Sequence, residues 1–250
     1  MLSVLRNRKA LSPLAIALIV LGVAIVVVAG VVVAFIWSGV GNLKTETKQF
    51  SGFTKLDVSS GFEVNITPSN TYEVVITASE RIIDKIEVSK SGDTLNIRVQ
   101  PGTVFGSSTL KAEISMPVLN GVALSGGTRG TSIGFNATEE FTVELTGASA
   151  FEIDNIVVSD ISVDVSGASA FNAQGTGNDL VAVVSGASTL NFSNFHINDA
   201  NVELNGASHG TVYVAGRLDV SASGFSSLQY LGNPTLGNID TSGGSTVAKG

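Results

Sequence analysis

The chain has 250 residues, of which 44% are hydrophobic and only 6% aromatic, and it contains no cysteine. The lack of cysteine excludes disulfides, thiolate chemistry and cysteine-ligated metal sites. The net charge is −7, and all 21 acidic residues follow an apolar run that three of the 14 basic residues precede. The part after this run is therefore strongly acidic, and because it repels phosphate backbones we expect no nucleic-acid partner.

The first predicted element is a membrane-spanning helix at residues 14–37. This run has 24 residues without a charge, and about 20 apolar residues are enough to span a bilayer. Arg6, Arg8 and Lys9 precede it, which predicts a cytoplasmic N-terminus (residues 1–13) and a C-terminal part outside the cell. A cleaved signal peptide is the alternative, but the apolar region of such peptides spans about 7–15 residues and no Ala-x-Ala site follows this run. We therefore predict a single-pass protein of the cell membrane.

The next segments are predicted to be a linker at residues 38–47 and a folded domain at residues 48–250. The linker is short and polar, whereas short segments with alternating apolar and polar residues begin after it. Such alternation, interrupted by turn-forming residues, is typical of β-strands. These segments are residues 56–58, 62–66, 72–76, 86–88 and 95–99. No helical periodicity follows the apolar run, so the domain is predicted to be all-β.

A repeated turn of the Ser-Gly-Ala-Ser type dominates the second half of the chain. Successive copies are 18 to 21 residues apart, and an alternating strand precedes most of them. A repeat this short buries its apolar face only by stacking on its neighbours, so the pattern predicts a β-solenoid with rungs of about 20 residues. Glycine suits such a turn because it accepts positive φ and leaves room for the next rung. The turn glycines are Gly126, Gly147, Gly167, Gly186, Gly206, Gly224 and Gly243.

A column of hydroxyl residues accompanies these glycines. One interpretation is that each hydroxyl bonds to backbone groups of its turn. The other is that the column forms a flat, repetitive surface for a ligand such as a glycan or ice. The column consists of Thr128, Ser149, Ser169, Ser188, Ser208, Ser226 and Ser245.

Residues 50–58 (FSGFTKLDV), 61–66 (GFEVNI) and 95–99 (LNIRV), followed by the Ser-Gly-Ala-Ser repeats, resemble the auto-transporter adhesin head GIN domain family. The resemblance covers about residues 48–245 and implies a right-handed, parallel β-helix-like solenoid on an envelope protein. Gly61-Phe-Glu stands where the family has the Gly-Ile-Asn that gives it its name. The resemblance brings no catalytic residues.

Few residues are candidates for chemistry. Glu144 and Asp164 occupy the same position in neighbouring repeats and resemble a glycosidase pair, although an outward strand position produces the same spacing. His196 and His209, even with Asp199 and Glu203, fall at non-equivalent positions for a metal site. We therefore expect no metal, no cofactor and no catalytic residue.

The sequence predicts a non-catalytic binding or adhesion module at the cell surface, with a surface glycan or an envelope protein as its partner. Two alternatives remain open. One is a carbohydrate-active enzyme on a β-helix, acting through Glu144 and Asp164. The other is an envelope scaffold or sensor that binds protein partners.

Overall fold

Strands, most of them paired in parallel, fill the part of the chain that this computed structural model describes, which is residues 42–106, 108–137 and 139–250. The predicted membrane helix at residues 14–37 lies outside the described residues. Within them, no helix is both long and apolar enough to cross a membrane. Residues 42–250 group as one unit with its own hydrophobic core. Its architecture confirms the all-β prediction, because its only helix is a single 3₁₀ turn at Ile83–Lys85.

The described residues contain twenty strands, most of them four to seven residues long, which form one continuous sheet. They are β1 (Leu43–Lys48), β2 (Lys55–Val58), β3 (Glu63–Pro68), β4 (Glu73–Ser79), β5 (Ile86–Ser91), β6 (Thr94–Val99), β7 (Leu110–Met116), β8 (Gly121–Leu124), β9 (Arg129–Ile133), β10 (Asn136–Ala137), β11 (Phe141–Leu145), β12 (Ala150–Val158), β13 (Asp160–Val165), β14 (Ala170–Val184), β15 (Thr189–Leu204), β16 (His209–Val214), β17 (Arg217–Ala222), β18 (Ser227–Gly232), β19 (Thr235–Thr241) and β20 (Thr246–Lys249).

The repeat region confirms the predicted solenoid of about 20-residue rungs. Strands before the turns form a pre-turn stack, with the order β8, β11, β13, the second half of β14, the second half of β15, β17 and β19, all parallel. Strands after the turns form a post-turn stack, with the order β9, β12, the first half of β14, the first half of β15, β16, β18 and β20, also parallel. Each rung therefore contributes one strand, or half of a long strand, to each stack.

A third, shorter strip joins the two stacks and is called the corner strip here. Register shifts within β12, β14 and β15 change the direction of the chain between the two halves of each strand. After each shift, residues 156–157, 175–177 and 196–197 pair in parallel with the next rung. Ile156, Phe195 and Ile197 point inward from this strip and are buried.

The rungs at the N-terminal end do not follow chain order. Strand β2 pairs with β6 on one side and β8 on the other, and β3 lies between β7 and β9. The chain thus makes its first rung, doubles back to place β6 and β7 beneath it, and then resumes above. At this end of the sheet, β5 pairs antiparallel with β6. Strand β4 pairs antiparallel with β7, and β1 pairs antiparallel with the other edge of β4.

Strand β1 differs from the expected linker at residues 38–47. Residues 43–48 pair along their whole length with β4. This strand is polar and largely exposed, so the polarity that suggests a tether belongs to an edge strand. Charged residues on an edge strand discourage pairing with other chains, and Glu46 lies within 2.7 Å of both Lys44 and Lys48.

The core consists of in-register columns of apolar side chains. In the post-turn stack, Phe151 pairs in register with Phe171, and their rings stack with centroids 5.6 Å apart. Phe171 meets Phe192 edge to face at 5.3 Å. Gly210 stands in the same column between Leu190 and Leu228, and a Cβ there would lie only 2.7 Å from a methyl group of Leu228. A single small residue among large ones thus fits the space that its neighbours leave in the column.

Candidate binding faces

The turn glycines have both geometric properties that a stacked turn requires. Gly167, Gly186, Gly206 and Gly224 all have φ between 75° and 80°, where L side chains are strained. A Cβ on Gly186 would also lie 2.5 Å from the carbonyl oxygen of Gly167 in the rung below. These glycines therefore serve the backbone, and they offer no side chain to a ligand.

The hydroxyl column lies inside the solenoid. Its six members from Thr128 to Ser226 are at most 2% exposed. Ser149 donates to the carbonyl of Thr146 at 2.8 Å, and the Ser149 amide donates to the Ser169 hydroxyl at 3.1 Å. Ser245, in the last turn, is half-buried. Buried hydroxyls are out of reach of a macromolecule, so the column from Thr128 to Ser226 is not an outer surface.

The two histidines lie apart, and each has different neighbours. His196 is on the corner strip in register with Tyr213, and the two rings are in contact at a tilt of 33° with centroids 4.3 Å apart. His209 begins β16 beside Thr189. Asp199, the carboxylate three residues after His196, accepts a hydrogen bond from the Arg217 backbone amide. Among the described residues no group of three or more His, Cys, Asp or Glu side chains is placed to hold a metal.

The outward side of the pre-turn stack is acidic. Glu144 and Asp164 are in-register neighbours on β11 and β13, and both are exposed. They line a shallow groove of about 450 Å³ that also includes Lys55 and Asp57. Four residues before Asp164 on β13, Asp160 is in register with Asp179, which is in register with Asp199, so negative charge continues along the axis. This stack therefore presents like charges that repel one another and any anionic ligand.

The outward side of the post-turn stack changes character along its length. In the first rungs it is charged. The Lys111 ammonium lies 3.2 Å from the Glu63 carboxylate, and Glu63 is in register with Arg129 on β9. From β14 onward its two outward columns hold no carboxylate, ammonium or guanidinium group. One column consists of Ala170, Thr189, His209, Ser227 and Thr246, and the other of Asn172, Asn191, Thr211, Gln229 and Ala248. A groove of about 420 Å³ crosses this region. Its outward polar residues, here called the amide face, are Asn172, Thr189, Asn191, His209, Thr211 and Gln229.

Hydrogen bonds from basic side chains lower the pKa of three surface carboxylates, Glu46, Asp93 and Asp219, of which two lie on strands. Hydrogen bonds from Lys44 and Lys48 lower the pKa of Glu46 on β1 from its ordinary value of 4.5 to about 2. A hydrogen bond from Arg217, assisted by the amide of Asn238, lowers the pKa of Asp219 on β17. Both partners are basic or backbone groups of the protein itself, so these shifts reflect surface ion pairs that hold strands in place.

Residues 52–234 match the family described as "Putative auto-transporter adhesin, head GIN domain". The chain belongs to this family. Among curated proteins none matches this GIN domain chain in sequence.

Solved structures share the fold of this GIN domain at low sequence identity. A "putative adhesin" from Bacteroides fragilis has a TM-score of 0.77 at 20% identity, over 83% of this chain and 97% of the other. A "putative lipid binding protein" from Parabacteroides distasonis has a TM-score of 0.66 at 15% identity, over 84% and 97% of the chains. A "putative adhesin" from Parabacteroides merdae has a TM-score of 0.58 at 15% identity, over 84% and 96%. At such identities the likeness is one of fold.

The amide face of the GIN domain was not among the candidates drawn from the sequence, although its signal is present there. Asn172, Asn191, Thr211 and Gln229 each stand three residues after a hydroxyl of the turn column. Counting residues from each turn hydroxyl therefore places these four residues in one column. The contact of His196 with Tyr213 had no such signal, because the register shift between Phe192 and His196 changes the count within that rung.

Proposed function

We propose that this GIN domain is a non-catalytic binding module, held outside the cell by the apolar segment at residues 14–37, that adheres through the outward columns of its solenoid. The observation that carries this proposal is the register itself: outward residues repeat at every rung on a scaffold whose inward residues are buried. Parallel rungs lie about 4.8 Å apart, so one partner meets the same kind of group many times. Many weak contacts held in fixed positions produce strong attachment overall.

Three further points support the proposal. Relatives by fold are described as adhesins. The basic residues before the apolar segment favour a cytoplasmic N-terminus. The right-handed winding that the resemblance implies agrees with the strong preference of parallel crossovers for that hand. A rigid, outward-facing rod suits attachment, because its binding groups do not need to be ordered when a partner arrives.

Carbohydrate cleavage by Glu144 and Asp164 is the second candidate, and the groove they share favours it. In that case the isolated domain would release new sugar ends from a polysaccharide, and the double substitution Glu144→Ala, Asp164→Ala would abolish the release. Retention on the same polysaccharide without release would speak against an enzyme.

The experiment that tests the proposed function uses residues 42–250, which contain all the described strands and the core. The domain is incubated with intact cells and envelope fractions, and bound protein is measured against concentration. We expect saturable retention without new sugar ends. An absence of retention would overturn the binding proposal, and crosslinking to one defined protein neighbour in membranes would support the scaffold alternative in its place.

A further inference from the structure

The amide face is uncharged within a strongly acidic domain. Its two outward columns run across β14, β15, β16 and β18 with no carboxylate, lysine or arginine. The uncharged stretch ends at the rung below, where Glu152 is in register with Asn172. A charged ligand would lose hydration on this surface and gain no opposite charge in return. The ligand that fits is therefore neutral.

The groups on this face are able to donate and accept hydrogen bonds at once. Each side-chain amide offers two donors and one acceptor oxygen, and each threonine hydroxyl offers both functions. Among the described residues, the side chains of Asn172, Thr211 and Gln229 make no internal hydrogen bond, and Asn191 uses only its oxygen, which accepts from the Ser193 amide at 3.2 Å. These groups remain available to a partner rich in hydroxyls.

An aromatic and apolar edge borders the face. Tyr213 follows Thr211 by two residues, so both point outward from β16. Its ring lies at a tilt against that of exposed His196, and its other register neighbour, Leu231, lines the groove of the amide face. Such an edge offers an apolar surface next to hydrogen-bonding groups, a combination that suits the two sides of a sugar ring.

The geometry points to a neutral polysaccharide as the ligand of the amide face, with its chain running along the solenoid axis and its sugar rings against Tyr213 and His196. Rungs repeat about every 4.8 Å along this axis, close to the length of one hexose in an extended chain. Successive sugars thus meet successive rungs. This inference rests on the proposed function and names the ligand class for it.

The test compares polysaccharides and a set of matched variants. The 42–250 domain is run through native gels containing a soluble glucan, mannan, galactan or oligomers of N-acetylglucosamine, with polygalacturonate as the charged comparison. We expect at least one neutral polymer to retard the domain and polygalacturonate to leave it unaffected. The triple substitution Asn172→Asp, Asn191→Asp, Gln229→Glu removes donors and adds charge at exposed positions, and it should weaken binding at least about tenfold. Tyr213→Ala should weaken it to a similar extent.

The control is Asn201→Asp, which makes the same chemical change on the same strand, β15, but on the outward side of the pre-turn stack. It should bind like the unmodified domain. Equal weakening by Asn201→Asp, or no retardation by any neutral polymer, would overturn the inference.

Retention assays on whole cells distinguish a failure of the glycan inference from a failure of the proposed function. An excess of the neutral polymer that retards the domain should abolish retention on cells if the ligand is a glycan of this class. Retention that survives both this competition and the triple substitution would refute the glycan inference and leave the binding module standing. If untreated cells retain nothing, the proposed function itself fails.

Discussion

Ser188 has no exposed surface, and its hydroxyl accepts a hydrogen bond of 3.3 Å from the backbone amide of Ser169 in the rung below. The same arrangement links Ser149 with Ser169. A buried amide without a partner is costly, and the Ser169 and Ser188 hydroxyls each supply an acceptor for a buried amide of the neighbouring rung. The residue type at this position follows from the backbone of the neighbouring rung.

Replacing Ser188 with Ala should lower the free energy of unfolding by about 1–3 kcal/mol, because the Ser169 amide would lose its partner in a buried site. Urea denaturation of the 42–250 domain measures the change. Ser221→Ala is the control, since Ser221 is exposed on β17, and changes at such surface positions usually stay within about 0.5 kcal/mol. Similar losses for both variants would contradict the structural role of the column.

Substitutions in two turns of the solenoid, at Gly186 and at Ala148, are predicted to change stability in different directions. Gly186→Ala places a methyl group 2.5 Å from the Gly167 carbonyl oxygen at φ 75°, and the left-handed backbone strain alone costs about 1–3 kcal/mol. Ala148 already has φ 70° although it is not a glycine, so Ala148→Gly should relieve strain and leave stability unchanged or raised by up to about 1 kcal/mol. Thermal melts of the two variants measure both effects. Destabilisation by Ala148→Gly would contradict this account of the turns.

At the scale of the elements, Phe171 lies in the middle of the aromatic column, between Phe151 and Phe192. Phe171→Ala should cost about 3–5 kcal/mol, as is usual for deletion of a buried phenylalanine ring. Phe225 is the matched control, because it is 78% exposed at a turn, and Phe225→Ala should have little effect on the urea midpoint. A small loss at Phe171 would mean that the column rearranges to close the cavity.

The stability of strand β1 should depend on pH within a defined range. Because Lys44 and Lys48 lower the pKa of Glu46 from 4.5 to about 2, the carboxylate contributes its full stabilisation above pH 4.5. That contribution is lost as the pH falls from 4.5 through about 2. Nuclear magnetic resonance titration of the Glu46 carboxyl and the β1 amides measures this range. In Glu46→Gln the β1 amides should lose this response, and a Glu46 that titrates at its ordinary pKa would disprove the pairing.

Much of this element structure was predictable because solenoid strands obey a local rule. Phe141, Val143 and Leu145 share their register with Ile161, Val163 and Val165, which the two-residue alternation and the repeat length together predict. Strand β1 was not predictable in the same way, since its partner β4 is about 30 residues away and its own residues are polar. The amide face required knowledge of which side of each strand faces outward along the whole stack.

At the scale of the whole molecule, stability should follow complete repeats. Deleting residues 167–185 joins Ser166 to Gly186 and restores a Ser-Gly-Ala-Ser turn. The solenoid should then fold with one rung fewer, because each rung contacts only its neighbours. Circular dichroism should still show β-structure and a cooperative melt at a lower temperature.

Deleting only residues 167–176 is the control for this shortened chain. It joins Ser166 to Gly177 and destroys the turn, so inward and outward residues of later strands no longer align with the rungs below. This variant should fail to fold. If both deletions gave equally stable proteins, the rung would not be the unit of stability.

The doubled-back order of the first rungs bears on how the chain folds as it leaves the ribosome. When residues 55–68 emerge, neither neighbour of β2 or β3 has yet been made, because one pair arrives with residues 94–116 and the other with residues 121–133. One edge of the first rung therefore stays open until residues 94–116 have been made, and the other stays open until residues 121–133 follow, near the middle of the 250-residue chain. A polypeptide interrupted before residue 121 retains a row of unpaired backbone groups on that rung, and such a fragment is prone to pair with other chains.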